Sequence, residues 1–473
     1  MAEDYELCER FSCHKHKLVF FLSAMRHYSQ ALKATQRDLD YFELNEATQK
    51  LSFEEKLQRW IKAHKISELV HFEIPDLFFK QRIEEFCLSE GIVQTVLPSP
   101  MFLEESHTLV QWMKRNKRPF MKNYYEDRRQ KTGLLMEQVK GKSVPVGGQF
   151  SFDEDNRRAL PKDKTPPQVT VLKADSITLD VAHLVNTMFA AHPGTTENFW
   201  LPVTSAEAQA WLGEFLRLRF REFGDYEDAL SPASPFLYHS VLSPFLNCGL
   251  LTPLEVLQTA EIAAAKNAVP LNSLEGFVRQ ILGWREFVRG VHLAFEKEQR
   301  TRNFFGHKRQ LAPCWWNGST GLVHLDRAIQ KCVTWGYCHH IERLMVIGNV
   351  MLLCEVEPSA AHAWFMQMFV DSADWVMGPN VYGMALWSDG GIFATKPYIC
   401  GSNYWLKMSG EKKAPWCDDL DALYWSFVSR QQKILLKNPR MSMMAKTFEK
   451  MDEQRKHFLL TRAEEVKERL TRI

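Results

Sequence analysis

The apolar pattern of this chain changes period partway along, and that change constrains the fold more than any single motif. Over the first hundred residues, helical periodicity alternates with short β-rich runs. Residues 15–35 set Leu18, Phe21, Leu22 and Met25 on one helical face. Residues 39–44 (LDYFEL) predict a strand, 52–64 a helix, 68–73 (ELVHFE) a strand, 77–90 a helix and 92–97 (IVQTVL) a strand. Alternating units of this length imply a parallel sheet covered by helices. Such a sheet normally opens on a strand, and MAEDYELCERFSC is a poor one, so residues 1–105 are expected to form a truncated α/β unit. Residues 106–140 look helical and basic (Lys114, Arg115, Lys117, Arg118, Arg128, Arg129), and Gly147, Gly148, Pro161, Pro166 and Pro167 mark a connector that closes this stretch near 175. From 176 to 473 the pattern is helical almost throughout and ends in a basic helix pair split at Asn438-Pro439. The expected class is α/β followed by all-α.

A chain of 473 residues is long enough for two or more domains. With 45% hydrophobic and 25% charged residues, disorder of the whole chain is excluded. A net charge of +2 gives only a weak global field, so any contact with nucleic acid must come from a local basic patch. Ten cysteines without a CxxC pair argue against a zinc ribbon and a secreted disulfide framework, and point to a reducing compartment. The longest early apolar run, Leu18 to Leu22, is too short to span a bilayer. The reading is a soluble, cytoplasmic, monomeric protein. The 14 Trp and 31 Phe suit core packing, and equally a protein that moves electrons between rings.

Four segments can carry chemistry. Ser240 and Ser243 lie just before a proline-initiated helix, where backbone amides and the helix dipole can bind phosphate; the plainer reading is a capped helix start. On the helix over 275–289, Phe277, Ile281, Trp284 and Val288 share a face, while Arg285 and Arg289 share another. A ring beside two guanidiniums suits a nucleotide or a DNA backbone; the plainer reading is a core helix with a basic edge. His339 and His340 are adjacent, so on a helix they diverge by about 100° and do not make an i, i+4 metal pair. Either could donate a proton. Around Asp371, Asn380 and Gly390-Gly391, carboxylate and amide groups could hydrogen-bond a heterocycle, or form ordinary caps and turns. No P-loop, GxSxG or HExxH motif occurs.

Taken in order, FLSAMRH (21–27), RRQKTGLLM (128–136), FGDYEDA (223–229), FLYHSVLSPFLNCGLL (236–251), EGFVRQILGWREFVRG (275–290), HHIERLMVIGN (339–349), ATKPY (394–398), LYWSF (423–427) and NPRM (438–441) resemble the bacterial photolyase-related branch of the photolyase/cryptochrome superfamily, whose best-known members repair (6-4) photoproducts. The resemblance runs from about residue 14 to 450. It implies a Rossmann-like N-terminal domain and a helical FAD-binding domain. Ser240, Leu242 and Ser243 would hold the FAD phosphates, and Gln280, Trp284 and Arg285 would line the flavin pocket. Arg343 and Asp371 would pair across the flavin ring, with Asn380 near it. His339 and His340 would face the lesion, and Trp364 and the more superficial Trp316 would pass electrons. The implied activity is light-driven electron transfer from reduced FAD to a dipyrimidine flipped out of damaged DNA, with no net redox change.

Three departures accompany the resemblance. The branch carries a [4Fe–4S] cluster on four cysteines; here Cys417 alone stands at such a place, His324 occupies another, and Met408 to Lys413 contain no thiol. A cluster needs a matched thiolate cage, so none is expected, and Trp416 with residues 423–425 would hold the domain instead. The first strand and the turn that helps bind a ribityllumazine antenna are unmatched, although His14, Lys15, His16 and Lys17 would fall near that site. Phe365, beside Trp364, stands where relatives have Tyr, which alters the electron relay. The leading reading is a (6-4) photolyase; the alternative is a cryptochrome-type blue-light receptor without repair activity.

Overall fold

The computed structural model describes residues 1–115, 118–232 and 234–473; Lys117, expected in the basic helix, lies outside them. The N-terminal alternation is realised in part. Helix α1 spans Lys15–Ala34, α2 Phe53–His64 and α3 Leu77–Glu90, while β1 (Glu68–Phe72) and β2 (Val93–Leu97) pair in parallel. Ser52 starts α2 with a capping box closed by Glu55, which satisfies two orphan amides reciprocally. Gly91 ends α3 in the left-handed conformation that glycine adopts without strain.

The strand expected over 39–44 does not form. Only Phe42 pairs, in a parallel bridge to Ala2. Side chains anchor this stretch instead. The buried Glu3 carboxylate accepts two bonds from Arg26 (2.8 and 3.0 Å), one from the Tyr41 hydroxyl (2.6 Å) and one from the Leu44 amide (2.6 Å). Beside it, Lys56 Nζ reaches Asp4 at 2.9 Å with both side chains buried. Breaking a buried pair of this kind typically costs about 3–5 kcal/mol, so the chain start is held firmly without a ladder. The register sets Val70, Phe72, Val93 and Leu97 on one side of the two-stranded sheet, and all four are exposed.

The basic region is also not one helix. Ser106–Arg115 and Met121–Thr132 are helical, but Gly133 caps the second. Met136–Val139 and Lys142–Pro145 then form an antiparallel hairpin across Lys140-Gly141, both at positive φ. Arg128 is buried against Glu104 and Asp127, and Arg129 is buried on the carbonyls of Leu134, Leu135 and Phe150. Neither guanidinium is available to DNA.

From Ser176–Met188 onward the chain is helical, as expected. The terminal segment holds three helices rather than two, Gln432–Leu436, Ser442–Glu449 and Glu453–Leu470, with the break at Asn438-Pro439 in place; Thr471–Arg472 pairs with Gln310–Leu311. The largest buried apolar cluster joins Trp315, Trp364, Trp405 and Trp416 to the helices Val323–Trp335 and Trp416–Arg430. His14 locks α1 onto this body. Its ring lies so close to Gly194 and Gly336, both at positive φ, that a Cβ at either would collide with it or with Val370. All ten cysteines are free thiols, and among the described residues no helix is long and apolar enough to cross a membrane.

Candidate functional site

Three segments of the helical body adopt the rare π-helical turn: Arg279–Arg285, Glu342–Gly348 and Pro379–Ala385. Such turns interrupt α-helical register and recur at functional sites, because the wide turn re-aims side chains. Gln280, Trp284 and Arg285 lie on the first, Arg343 on the second and Asn380 on the third. The second and third approach so closely that a Cβ on Gly348 would meet that of Ala385 at 2.7 Å. Gln280, Trp284, Arg285, Arg343 and Asn380 all keep partial solvent access among buried sequence neighbours.

Hydrogen bonds bring the centre of this region together. Arg343 Nη1 donates to Asp371 Oδ1 at 2.9 Å, and Ser243 Oγ donates to Asp371 Oδ2 at 2.6 Å. Asn247 Nδ2 donates to the Asp371 carbonyl at 3.0 Å and presents its own Oδ1 to Arg285 Nη2 at 3.4 Å. Arg285 also donates to the carbonyls of Met101 and Leu246. Burial pushes its pKa down to about 10. Arg343 moves the opposite way, upward, because Asp371 favours its charge despite burial. The Arg343 guanidinium lies 4.0 Å from the centre of the Phe369 ring, and Phe369 touches Trp364 at 5.9 Å between centroids. Ser243, Asp371, Arg343, Arg285 and Trp364 thus form one connected set.

The other expected residues sit around it. Leu242 is buried in an apolar cluster, so it can offer only its backbone, and the Ser240 carbonyl accepts from Trp211 Nε1. Gln280 donates to Glu227 at 2.8 Å, Trp284 packs on Phe393, and Asn380 donates to Val376 O within its own helix. Arg289 does not belong to the site. It is buried on Glu73, Ser106 and the Glu104 carbonyl, so the core-helix reading holds there.

His339 is fully buried and His340 is exposed, although they are consecutive. Desolvation, with Arg343, pushes the His340 pKa down to about 4. His339 stacks on His239 at 4.6 Å with 15° between planes. Burial drives both pKa values well below the ordinary imidazole value.

Beside Trp364 stands a residue that sequence reasoning missed. Trp364 is buried and donates from Nε1 to the Trp315 carbonyl; the two rings stand 6.3 Å apart. Trp316 is 39% exposed and bonds Gln367. The sequence offers Trp315 and Trp316 side by side, and nothing in it says which faces Trp364.

The donor set suits a polar ligand with phosphates and a heterocycle: guanidiniums, hydroxyls, a carboxylate and carboxamides around a helix start. Among the described residues Arg285 Nε is buried without a hydrogen-bond partner, which a bound polar group would offset. An iron–sulfur cluster does not fit. The His324 ring is wedged between Trp405 and Trp416 at 5.5 and 5.1 Å, Cys417 is packed in the apolar core, and among the described residues no three His, Cys, Asp or Glu side chains converge on a metal position. Near the expected antenna place, His14, His16 and Lys17 are engaged within the protein. His14 bonds Val333 O, His16 bonds Glu197 O and Lys17 bonds Ser372.

Residues 1–201 match the family described as deoxyribodipyrimidine photo-lyase-related protein. Over 464 residues, 95% of this chain and 90% of the relative, the sequence is 33% identical to the (6-4) photolyase of Agrobacterium fabrum. The fold is similar to a bacterial class III photolyase from Agrobacterium tumefaciens, with TM-score 0.55 and 15% identity over 96% of this chain and 89% of that one. It is also similar to a Synechocystis cryptochrome, with TM-score 0.50 and 13% identity over 88% and 81% of the two chains.

Proposed function

The chain belongs to the deoxyribodipyrimidine photo-lyase-related family, and on that footing we propose that it is a light-driven DNA-repair flavoprotein that reverses (6-4) photoproducts. The observation that carries the reading is the Arg343–Asp371 pair anchored on a π-helical turn, with the exposed His340 three residues before Arg343.

FAD, when bound, supplies the absorption of blue light and the electron. The chain's residues do the rest. Ser240, Ser243 and the backbone at Leu242 would hold the phosphates at the helix start, where unpaired amides favour anions. Gln280, Trp284 and Arg285 would border the ring system. Arg343 and Asp371 fix each other, so the charge beside the ring is set before any ligand arrives; preorganised charge costs no rearrangement when the reaction occurs. Asn380 presents a carboxamide from the third π-turn. Trp364 and Trp315 offer a buried aromatic path toward Trp316 at the surface, and Phe365 next to it has no hydroxyl to lose. His340 can reach a lesion, while His339 lies beneath it and cannot without movement.

A flipped nucleotide costs a few kcal/mol to extrude, least where damage already weakens stacking, which favours lesions over intact DNA. The test is repair of oligonucleotides carrying one defined lesion under blue light. Restoration of (6-4) sites by the FAD-loaded protein, lost in His340→Ala with flavin retained, is expected. Photoreduction without repair of a (6-4) or a cyclobutane lesion would overturn the proposal in favour of a photoreceptor.

A further inference from the structure

Glu342 has no part in the site as described so far, yet its surroundings are unusual. It lies on the second π-turn with its side chain only 6% exposed. One carboxylate oxygen, Oε1, accepts from Lys331 Nζ at 2.6 Å, and Lys331 also donates to the Ser231 carbonyl at 3.2 Å. The other oxygen, Oε2, has no hydrogen-bond partner among the described residues and stands 3.4 Å from His339 Nε2. His339 Nε2 and Nδ1 are likewise unpartnered, and so is Nε2 of the stacked His239.

An unsatisfied buried polar atom costs about 1–3 kcal/mol, and a carboxylate oxygen and a ring nitrogen 3.4 Å apart need only a small rotation to relieve two such costs with one bond. The groups around His339 decide which proton arrangement results. Burial first, then Lys331, His340 and Arg343, oppose a second proton on the ring. A neutral ring facing a carboxylate carries its hydrogen on the facing nitrogen.

We propose that Glu342 is a positioning residue for His339: its Oε2 accepts from His339 Nε2, fixes that tautomer and leaves the lone pair on Nδ1. The inference rests on the repair reading above, in which His340 faces the lesion and His339 is the buried residue next to it. Lys331 completes the arrangement by holding the carboxylate in place, the way a third group orients a catalytic base. A cavity with room for the centre of about one water-sized sphere, about 10 Å³, adjoins Glu342 and is lined by Lys331, His324, Arg327 and Ser231. It shares Ser231, Pro232 and Arg327 with an open surface recess of about 500 Å³. Solvent therefore comes within one polar cavity of Glu342 from a recess that His340 does not line.

The experiment combines a dark and a light measurement on the FAD-loaded protein. Nitrogen-15 NMR of histidine-labelled protein, with His339 assigned by His339→Gln, reports the tautomer. Wild type is expected to carry the Nε2 hydrogen, and Glu342→Gln to lose that preference while circular dichroism and flavin content stay unchanged. In light, Glu342→Gln is expected to lower the repair yield at saturating DNA about tenfold, less than the about 10²–10⁴ for loss of a proton-transferring side chain itself. A wild-type Nδ1–H tautomer would overturn the proposal whether or not the variant folds. So would a repair yield unmoved by Glu342→Gln. A wild-type protein that repairs no (6-4) lesion would instead sink the function proposed above, and the dark measurement would still decide the Glu342–His339 contact.

Discussion

Replacing Arg343 by methionine tests whether the buried ion pair organises the site. The substitution removes the 2.9 Å bond to Asp371 and the 2.8 Å bond from Nε to the Cys338 carbonyl, while a methionine still covers Phe369. Asp371, whose side chain is 5% exposed, then keeps a single side-chain donor, the Ser243 hydroxyl. Removing one member of a buried pair typically costs about 3–5 kcal/mol. The surviving Ser243 bond and the 13% exposure of Arg343 place this case at the lower end, about 3 kcal/mol. At 1.4 kcal/mol per decade, that is about a hundredfold. Because the chain is large, a local readout is preferable to one global midpoint. Amide hydrogen exchange of peptides covering 239–249, 337–349 and 369–373 should lose about a hundredfold protection. Adding Asp371→Asn should restore most of it, since the stranded charge is gone. A loss below about fivefold in the single variant, or no recovery in the double, would refute the view that charge pairing is what holds these segments together.

Three further outcomes are expected. Glu227 accepts from Gln280 and Asn156, and burial raises its pKa from 4.5 to about 7, so its contribution is present below the ordinary carboxylate pKa and is lost as pH rises through about 7; Glu227→Gln should stabilise the protein at pH 8 by about 2–3 kcal/mol and flatten the pH dependence of urea unfolding between 4.5 and 7. Trp364→Phe and Trp315→Phe should each slow light-driven flavin reduction by an order of magnitude with flavin still bound, whereas Trp316→Phe should do less, as followed by bleaching of the flavin absorption band. Phe72→Ser, on the open side of the two-stranded sheet, should reduce self-association in light scattering without altering flavin content, because exposed apolar strand faces favour association.

The helices were legible because each carries its own period and punctuation: Ser52 and Glu55 start one, Gly91 ends another. The strand at 39–44 was not, because alternation describes a face and says nothing of a partner. Phe42 finds one residue to pair with, and the stretch is held by the Glu3 carboxylate instead. The hairpin after Gly133 hid inside a basic, helix-like composition; Lys140-Gly141 was the available signal. At the site, residue types pointed to segments that the fold brings together, but the π-turns that gather them leave no periodic trace. Burial was equally invisible, so Arg128, Arg129 and Arg289 looked like DNA contacts although each is buried among its own acceptors.

The place where thiolates would be expected shows how such a protein can hold together by other means. Trp405 and Trp416 clamp His324, and each tryptophan buries about 150–250 Å², worth about 4–6 kcal/mol before ordering costs. Glu411 adds charge on the outer side, facing His324 at 3.4 Å and pairing with Arg327. The helix Val323–Trp335 that carries His324 also carries Lys331, two turns further on, which grips Glu342 beneath His339. One helix therefore joins the aromatic plug to the histidine pair. Loosening the plug should disturb the Lys331–Glu342 contact, whereas a change confined to Glu342 should leave the plug intact. That asymmetry follows from the direction of support: packing fixes the helix, the helix fixes the lysine, and the lysine fixes the carboxylate.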